Sequence, residues 1–185
     1  MISLEWVKDY IDISDQDLEE LAVKITQSGI NVEKVITNHI NNLVIGEVLE
    51  CVAHPDSDHL HVCKVNVGNI TEQIVCGAPN VREGLKVIVA LPGAVLPGDF
   101  EIKKSKIRGV ESNGMLCALY ELGLEEKNDE TYAKGIEELG ADAPVGEDPL
   151  KYLGLDDTLY ELDIHKHRNN DCYYHIGFAY EIGAI

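Results

Sequence analysis

The stretch VIGEVLECVAHPDSDHLHVCKVNVG, residues 44–68, contains two runs rich in valine and isoleucine on either side of a short polar segment. Runs of this kind bounded by Pro, Asp and Ser are typical of β-strands. The proline of HPDSD, residues 54–58, fixes its own φ angle, and aspartate side chains accept hydrogen bonds from nearby backbone amides. We therefore predict two strands joined by a turn that His54, Asp56 and Asp58 shape.

The same stretch also has the composition of a metal site or an acid–base site. On a strand, His59, His61 and Cys63 would share one side, and these are zinc-binding residue types. A structural zinc site requires four ligands, however, and the other cysteines occur singly in apolar strand contexts. Catalysis by Asp56 or Asp58 would require a polarised partner and a pocket. We favour the turn and predict no metal ligands here.

Further β-rich runs follow at a spacing of about ten residues, each closed by Gly, Pro or Asn. They are EQIVCGAPN, LKVIVALPGAVLP and FEIKKSKIRGVESNGML, and with the two runs of the opening stretch they make five. Short strands leave unpaired edges that closure of the sheet removes. The sequence therefore predicts a five-stranded closed barrel between about residues 43 and 120, followed by an acidic, loop-rich tail.

Mixed α and β patterns flank this region on both sides. A helix predicted from Ser14, ended by Gly29, precedes a β-rich segment, and TLYELDI near the carboxyl end alternates as a strand before a helical run. We predict a mainly β protein with flanking α+β elements, divided at residues 1–40, 41–150 and 151–185. The last run stops in mid-pattern, so we expect the chain to be a piece of a longer protein.

The formal charge of −18 and the isoelectric point near 4.6 argue against diffuse binding to DNA, because most of the surface repels phosphate. Five cysteines without a C-x-x-C spacing are typical of a protein in a reducing compartment. No secretion signal is visible at the start, and no apolar run approaches the ~18 residues of a membrane span. We predict a cytoplasmic protein without membrane or DNA partners.

The main concentration of positive charge is KKSKIRG, residues 103–109. On a strand, Lys104, Lys106 and Arg108 would share a face able to meet phosphates, with short polar side chains beside them. The predicted RNA-contacting residues are Lys103, Lys104, Lys106, Arg108, Ser112 and Asn113. The alternative is an ordinary solvated edge strand whose lysines prevent aggregation. Phosphate-loop, dinucleotide, hydrolase and zinc-protease motifs are absent from the sequence, so we predict no catalytic residues.

Three ordered motifs resemble the tRNA-binding domain of the EMAP-II type, an oligonucleotide-binding (OB) fold barrel. They are HPDSD, residues 54–58; VCGAPN, residues 75–80; and KIRGVESNGM, residues 106–115. The flanks, starting with MISLEWVKDYIDI, are similar to the amino terminus of the bacterial phenylalanyl-tRNA synthetase beta subunit family. In that family the barrel is inserted into a small split α+β domain. One departure is HKHRNND, residues 165–171, where the family has a T-P-N-R-x-D-like loop.

This resemblance implies a part of the enzyme that attaches phenylalanine to its tRNA, with tRNA and the alpha subunit of an α2β2 assembly as partners. The alpha subunit carries the aminoacylation site, so the chain alone would be non-catalytic. It would hold no cofactor, while the complete synthetase would use ATP and Mg²⁺. Two alternatives stay open, a free-standing tRNA-binding protein without catalytic activity and a structural scaffold barrel. The charge of −18 is compatible with the scaffold.

Overall fold

The computed structural model describes residues 1–168, 172 and 174–185. Its strands are β1 (Ile2–Ser3), β2 (Asn31–Thr37), β3 (Leu43–Ala53), β4 (His61–Asn66), β5 (Thr71–Cys76), β6 (Lys86–Ala90), β7 (Val95–Leu96), β8 (Phe100–Glu101), β9 (Ser105–Ile107), β10 (Val110–Ser112), β11 (Met115–Cys117), β12 (Glu138–Leu139) and β13 (Thr158–Asp163). Its helices are α1 (Leu4–Val7), α2 (Leu18–Ser28), α3 (Asp129–Lys134), α4 (Pro149–Tyr152) and α5 (His175–Ile182), with 3-10 turns at Leu119–Leu122 and Lys166–Arg168. These elements form two compact units, a smaller one of residues 1–39 and 154–185 and a larger one of residues 40–153.

The smaller unit is a three-stranded antiparallel sheet in the order β1-β13-β2, with helices of its own. Tyr160 of β13 is fully buried, and its ring packs edge-on against Phe178 of α5, with 6.2 Å between the ring centroids. Strand β13 and helix α5 occupy the segments where the sequence predicts a strand and a helix. This sheet joins the first and last segments of the chain.

The first long helix starts later than predicted. Asp17, not Ser14, is its N-terminal cap, because the Asp17 carboxylate accepts hydrogen bonds from the amides of Glu19 and Glu20, both at 3.0 Å. The helix ends as predicted at Gly29, whose φ of 108° lies in the left-handed region. The predicted loop HKHRNND includes residues 169–171, which lie outside the described residues.

The larger unit is mainly β, and its principal sheet is a curled half-barrel. The strands follow the order β11-β6-β3-β4-β5, all antiparallel, and β12 also pairs with β6. Two short hairpins, β7–β8 and β9–β10, lie between β6 and β11 in the chain. The prediction of five strands did not include β12 or these hairpins, because strands of two or three residues show no periodicity.

Because the sheet is strongly curved, strand β5 at its edge forms hydrogen bonds with residues 111–113. The Asn113 amide donates to the Gln73 carbonyl oxygen at 2.8 Å, and the Gln73 side chain donates to the Glu111 carbonyl oxygen at 2.8 Å. Inside the curve, Gly46 leaves room for two facing valines, since a Cβ there would lie 2.5 Å from a Val89 methyl group and 2.7 Å from a Val65 methyl group. The concave face is thus closely packed.

The acidic segment between Glu121 and Asp157 is loop-rich, as predicted. It contains the short elements α3, β12 and α4. None of the helices formed by the described residues has the length and apolar character needed to cross a membrane.

Candidate nucleic-acid interface

The predicted basic stretch forms a tight hairpin, named here the basic hairpin and defined as residues 103–112. Ile107 pairs with Val110, which leaves Arg108 and Gly109 as a two-residue turn with φ angles of 47° and 85°. Two successive positive φ angles are characteristic of a type I′ turn. The expectation that Lys104, Lys106 and Arg108 share one strand face is therefore wrong, because the strand covers only residues 105–107.

The lysines of the basic hairpin are exposed, and two of them meet carboxylates. The Lys103 ammonium lies 2.7 Å from Glu101, and the Lys106 ammonium lies 3.7 Å from Glu111 across the strand pair. Both lysine side chains are 69% exposed. Ion pairs this exposed contribute little, typically under ~1 kcal/mol, so a phosphate can displace the carboxylate at small cost. Lys104 is also exposed.

The loop at residues 54–60 is fastened to the basic hairpin by two hydrogen bonds. Arg108 donates from Nη1 to the Asp56 carbonyl oxygen at 2.8 Å, and His54 Nε2 lies 3.2 Å from the Ile107 carbonyl oxygen. His54 Nδ1 accepts from the Asp56 amide at 3.0 Å, so the proton of the neutral ring is on Nε2, which donates to Ile107. His54 is only 4% exposed, and both of its nitrogens are used.

The two other predicted contact residues are bonded inside the unit. Ser112 is fully buried, and its hydroxyl oxygen accepts from the Val75 amide and donates to the Gly114 carbonyl oxygen, both at 3.1 Å. The expectation that Ser112 supplies a hydrogen-bonding group beside the lysines is therefore wrong, because its buried hydroxyl is already bonded to the Val75 amide on the β5 edge and to the nearby Gly114 carbonyl oxygen. Asn113 is half-buried, and its Nδ2 donates to the Glu72 carboxylate at 3.0 Å.

The structural roles of three further residues of the larger unit could not be predicted from the sequence. Asn80 of the VCGAPN motif donates to the Ile136 carbonyl oxygen at 2.8 Å and accepts from the Ile136 amide at 3.0 Å, as a paired strand would. Arg82 binds Glu138 with two hydrogen bonds, which lower the pKa of that carboxyl. Phe100, three residues before Lys103, is 57% exposed. Exposed aromatic rings suit stacking on nucleobases.

The side chains of the histidine-rich stretch, residues 54–65, are not arranged as ligands of one metal ion. His59 is exposed, His61 is half-buried, and Cys63 is fully buried. Within the described part of the chain, no group of three or more His, Cys, Asp or Glu side chains is placed to hold a metal ion.

A grouping of Ser3, Asp157 and His175 in the smaller unit has the composition of a catalytic triad but not its geometry. The Ser3 hydroxyl donates to Asp157 at 2.6 Å and accepts from the Trp6 amide, whereas His175 Nε2 accepts from the Ser3 backbone amide at 3.0 Å. A nucleophilic serine needs its hydroxyl, not its amide, bonded to the histidine. The grouping caps helix α1.

A sequence profile of the family described as "Putative tRNA binding domain" matches residues 43–148, which include the 54–60 loop and the basic hairpin. The chain belongs to this tRNA-binding domain family. Phenylalanine–tRNA ligase beta subunits are similar along the whole chain, with 48% identity over 189 residues in Geobacillus kaustophilus and 49% over 190 residues in Oceanobacillus iheyensis. The chain spans 23% of the length of each of these relatives and is similar to their amino-terminal part.

Two crystal structures show a weaker likeness. A MetRS-related protein from Pyrococcus horikoshii is 23% identical with a TM-score of 0.41, covering 56% of this chain and 84% of that one. The C-terminal domain of Plasmodium vivax p43 is 25% identical with a TM-score of 0.41, covering 60% of this chain and 59% of that one.

Proposed function

We propose that the larger unit is an OB barrel that contacts tRNA through the basic hairpin and the 54–60 loop, within the beta subunit of a phenylalanine–tRNA ligase. The observation that carries this proposal is the pair of hydrogen bonds from His54 and Arg108, which hold the two segments together. The family match points to tRNA as the ligand, and lysine and arginine side chains are common phosphate contacts, so a cationic hairpin held in place suits phosphate binding.

Strand order supports the OB assignment. β3, β4 and β5 are consecutive strands, residues 111–113 bond to β5, and β11 returns through β6 to β3. If β10 and β11 are counted as one interrupted strand, then β3, β4, β5, β10–β11 and β6 form a closed ring of five strands. OB folds bind oligonucleotides at the loop between their first two strands and the loop between their last two. In this chain those loops are residues 54–60 and residues 91–109. The second loop contains the lysines of the basic hairpin and its turn at Arg108 and Gly109.

The smaller unit supports a split α+β domain into which the barrel is inserted. Its strand β13, from the carboxyl-terminal segment, pairs with β1 and β2 from the amino-terminal segment. The bounds predicted from the sequence are residues 1–40 and 151–185 for the two halves, with the barrel and its acidic tail at 41–150. The compact units instead divide after residue 39 and before residue 154, and helix α4 packs against β3 of the larger unit.

The similar phenylalanine–tRNA ligase beta subunits support a role inside a larger enzyme that attaches phenylalanine to tRNA. The proposal includes ATP and Mg²⁺ as cofactors of that complete enzyme and the cytoplasm as its location. In this role the chain supplies a binding module rather than catalytic groups, and its protein partner is the alpha subunit in an α2β2 assembly. A scaffold role is the second candidate. It is favoured by the charge of −18 and by the carboxylates beside Lys103 and Lys106, which compete with phosphate.

The test compares the chain with a triple variant, Lys103→Ala, Lys104→Ala and Lys106→Ala, in which Arg108 keeps its bond to the 54–60 loop. Binding to fluorescently labelled tRNA is titrated at several salt concentrations. Each neutralised phosphate contributes ~0.7–0.9 to the slope of log K against log salt, so we expect the triple variant to flatten the slope by about 2. The loss should be similar for different tRNA species, because phosphate contacts carry no sequence information.

A matched control removes the same charge from the smaller unit with Lys8→Ala, Lys24→Ala and Lys34→Ala. It should change the salt slope much less. Equal slopes for the two variants would place the RNA contact away from the basic hairpin. No binding of the unmodified chain at low salt would instead support the scaffold.

A further inference from the structure

Three cysteines of the larger unit lie on the inner face of three neighbouring strands. Cys51 of β3 pairs directly with Cys63 of β4, and Cys76 of β5 pairs with His61. Because residues two apart on a strand share a face, Cys63 and His61 point the same way, and Cys76 joins them. All three thiols are free.

Geometry distinguishes the possible pairs among these thiols. The Sγ atoms of Cys51 and Cys63 are 3.8 Å apart. Residues directly opposite on antiparallel strands have Cα atoms about 4.5–5.5 Å apart, within the range of disulfides. Cys63 and Cys76 are diagonal neighbours at about 7–8 Å, and Cys51 and Cys76 are two strands apart, so both exceed that range. Cys51 and Cys63 are the pair that can be bridged.

The two thiols also differ in access to solvent. Cys51 is half-buried, whereas Cys63 is fully buried. Burial raises the pKa of the Cys63 thiol, with a further contribution from Cys51. Cys63 is therefore the poorer nucleophile toward a dissolved oxidant, and Cys51 is the thiol that such an oxidant reaches.

We propose that Cys51 and Cys63 form a site of oxidative modification that a hydroperoxide converts to a disulfide. The Cys51 thiolate attacks one peroxide oxygen, which forms an S–O bond and breaks the O–O bond. The leaving alkoxide takes up the proton that the Cys51 thiol lost and departs as an alcohol, or as water when the oxidant is hydrogen peroxide. The Cys63 sulfur then attacks the Cys51 sulfur of the sulfenic acid. The S–S bond forms, the S–O bond breaks, and the hydroxide leaves as water with the Cys63 proton. A dithiol reverses the modification by thiol–disulfide exchange.

The sequence makes this site easy to test by mass spectrometry. Trypsin cuts after Lys34 and Lys64, so the peptide 35–64 contains both Cys51 and Cys63 and no other cysteine. The three remaining cysteines lie on separate peptides, 65–82, 109–127 and 169–185. The folded chain is treated with hydrogen peroxide, then unfolded, alkylated and digested without reduction.

We expect peptide 35–64 to lose two hydrogens and to escape alkylation, with the other three peptides alkylated. Dithiothreitol before alkylation should restore both labels. Cys51→Ser or Cys51→Ala should leave Cys63 alkylated, with the folded state verified by circular dichroism. Cys76→Ser, the matched control, should retain the crosslink.

Several results would overturn the proposal. One is a crosslink between peptides 35–64 and 65–82, which would make Cys76 the partner. Another is accumulation of sulfinic acid on Cys51 while Cys63 stays alkylated. A third is full alkylation of both cysteines of peptide 35–64 although a small-molecule thiol added to the same reaction has been oxidised, which shows that the peroxide was active.

Discussion

Replacement of Ser112 by alanine would test whether this residue holds the larger unit together or contacts RNA. The Ser112 hydroxyl is the link between the Val75 amide on the β5 edge and the Gly114 carbonyl group. Alanine fits the same space but leaves the buried Val75 amide without this acceptor. The substitution therefore removes both hydrogen bonds of the Ser112 hydroxyl while leaving the lysines of the basic hairpin in place.

The expected size of the effect follows from the burial of these groups. Ser112 is fully buried and Val75 is 7% exposed, so water does not readily replace the lost partner. A buried donor left unsatisfied costs about 1–3 kcal/mol. A central value of ~2 kcal/mol corresponds to a fall in Tm of ~4–8 °C for a chain of this size.

Urea unfolding followed by circular dichroism measures this free energy, and amide hydrogen exchange reports locally on Val75. Ser105→Ala is the matched control, because Ser105 pairs with Ser112 across the hairpin but is exposed. It should change stability by less than ~0.5 kcal/mol. The structural role would be refuted if Ser112→Ala matched Ser105→Ala in stability and Val75 protection yet lost tRNA binding.

Two further predictions concern other internal bonds. Burial raises the pKa of Tyr160, with contributions from Glu19 and Asp17, so folding favours the neutral phenol, whose hydroxyl donates to the Leu18 carbonyl group. The stabilising contribution of the Tyr160 hydroxyl is present below about pH 10 and is lost as the pH rises further. Tyr160→Phe should therefore lower the free energy of unfolding by ~0.5–1.5 kcal/mol at pH 7, as measured by urea titration. Above pH 10, the free energy of unfolding should fall less in this variant than in the parent chain. Asn80→Ala should cost ~1–3 kcal/mol in the same assay, because both backbone groups of Ile136 lose their partner, whereas the exposed Asn69→Ala should cost less than ~0.5 kcal/mol. Equal values for the two asparagine variants would contradict the pairing of Asn80 with Ile136.

The longer strands and helices could be predicted because their signals are local. The valine-rich runs of β3 and β4 and the glycine that ends α2 act through the conformations of a few neighbouring residues. The shorter strands could not be predicted in the same way. β12, for example, is two residues that pair with Val87 and Lys86, the part of the β6 edge that β11 does not cover.

The basic stretch illustrates a different limit. Its charge was visible in the sequence, but alternation along a strand was the wrong periodicity, because Arg108 adopts a positive φ usually taken by Gly or Asn. Its bond to the Asp56 carbonyl group, 52 residues away in sequence, helps to hold that conformation. No local pattern encodes such a partner. The burial of Ser112 is likewise a result of the sheet's curvature and not of the residues next to it.

The polar residues of the three motifs share one physical role. His54, Asn80 and Ser112 each bond to the backbone of a segment distant in sequence, at Ile107, Ile136 and Val75 respectively. These bonds satisfy backbone groups that the short strands leave unpaired, which is what an irregular β unit requires. These three polar residues therefore mark the fold, while the proposed contact with RNA rests on exposed lysines, one of which, Lys106, begins the third motif. Loss of binding after substitution of a motif residue must consequently be separated from loss of folding, whereas substitution of the lysines tests the interface directly.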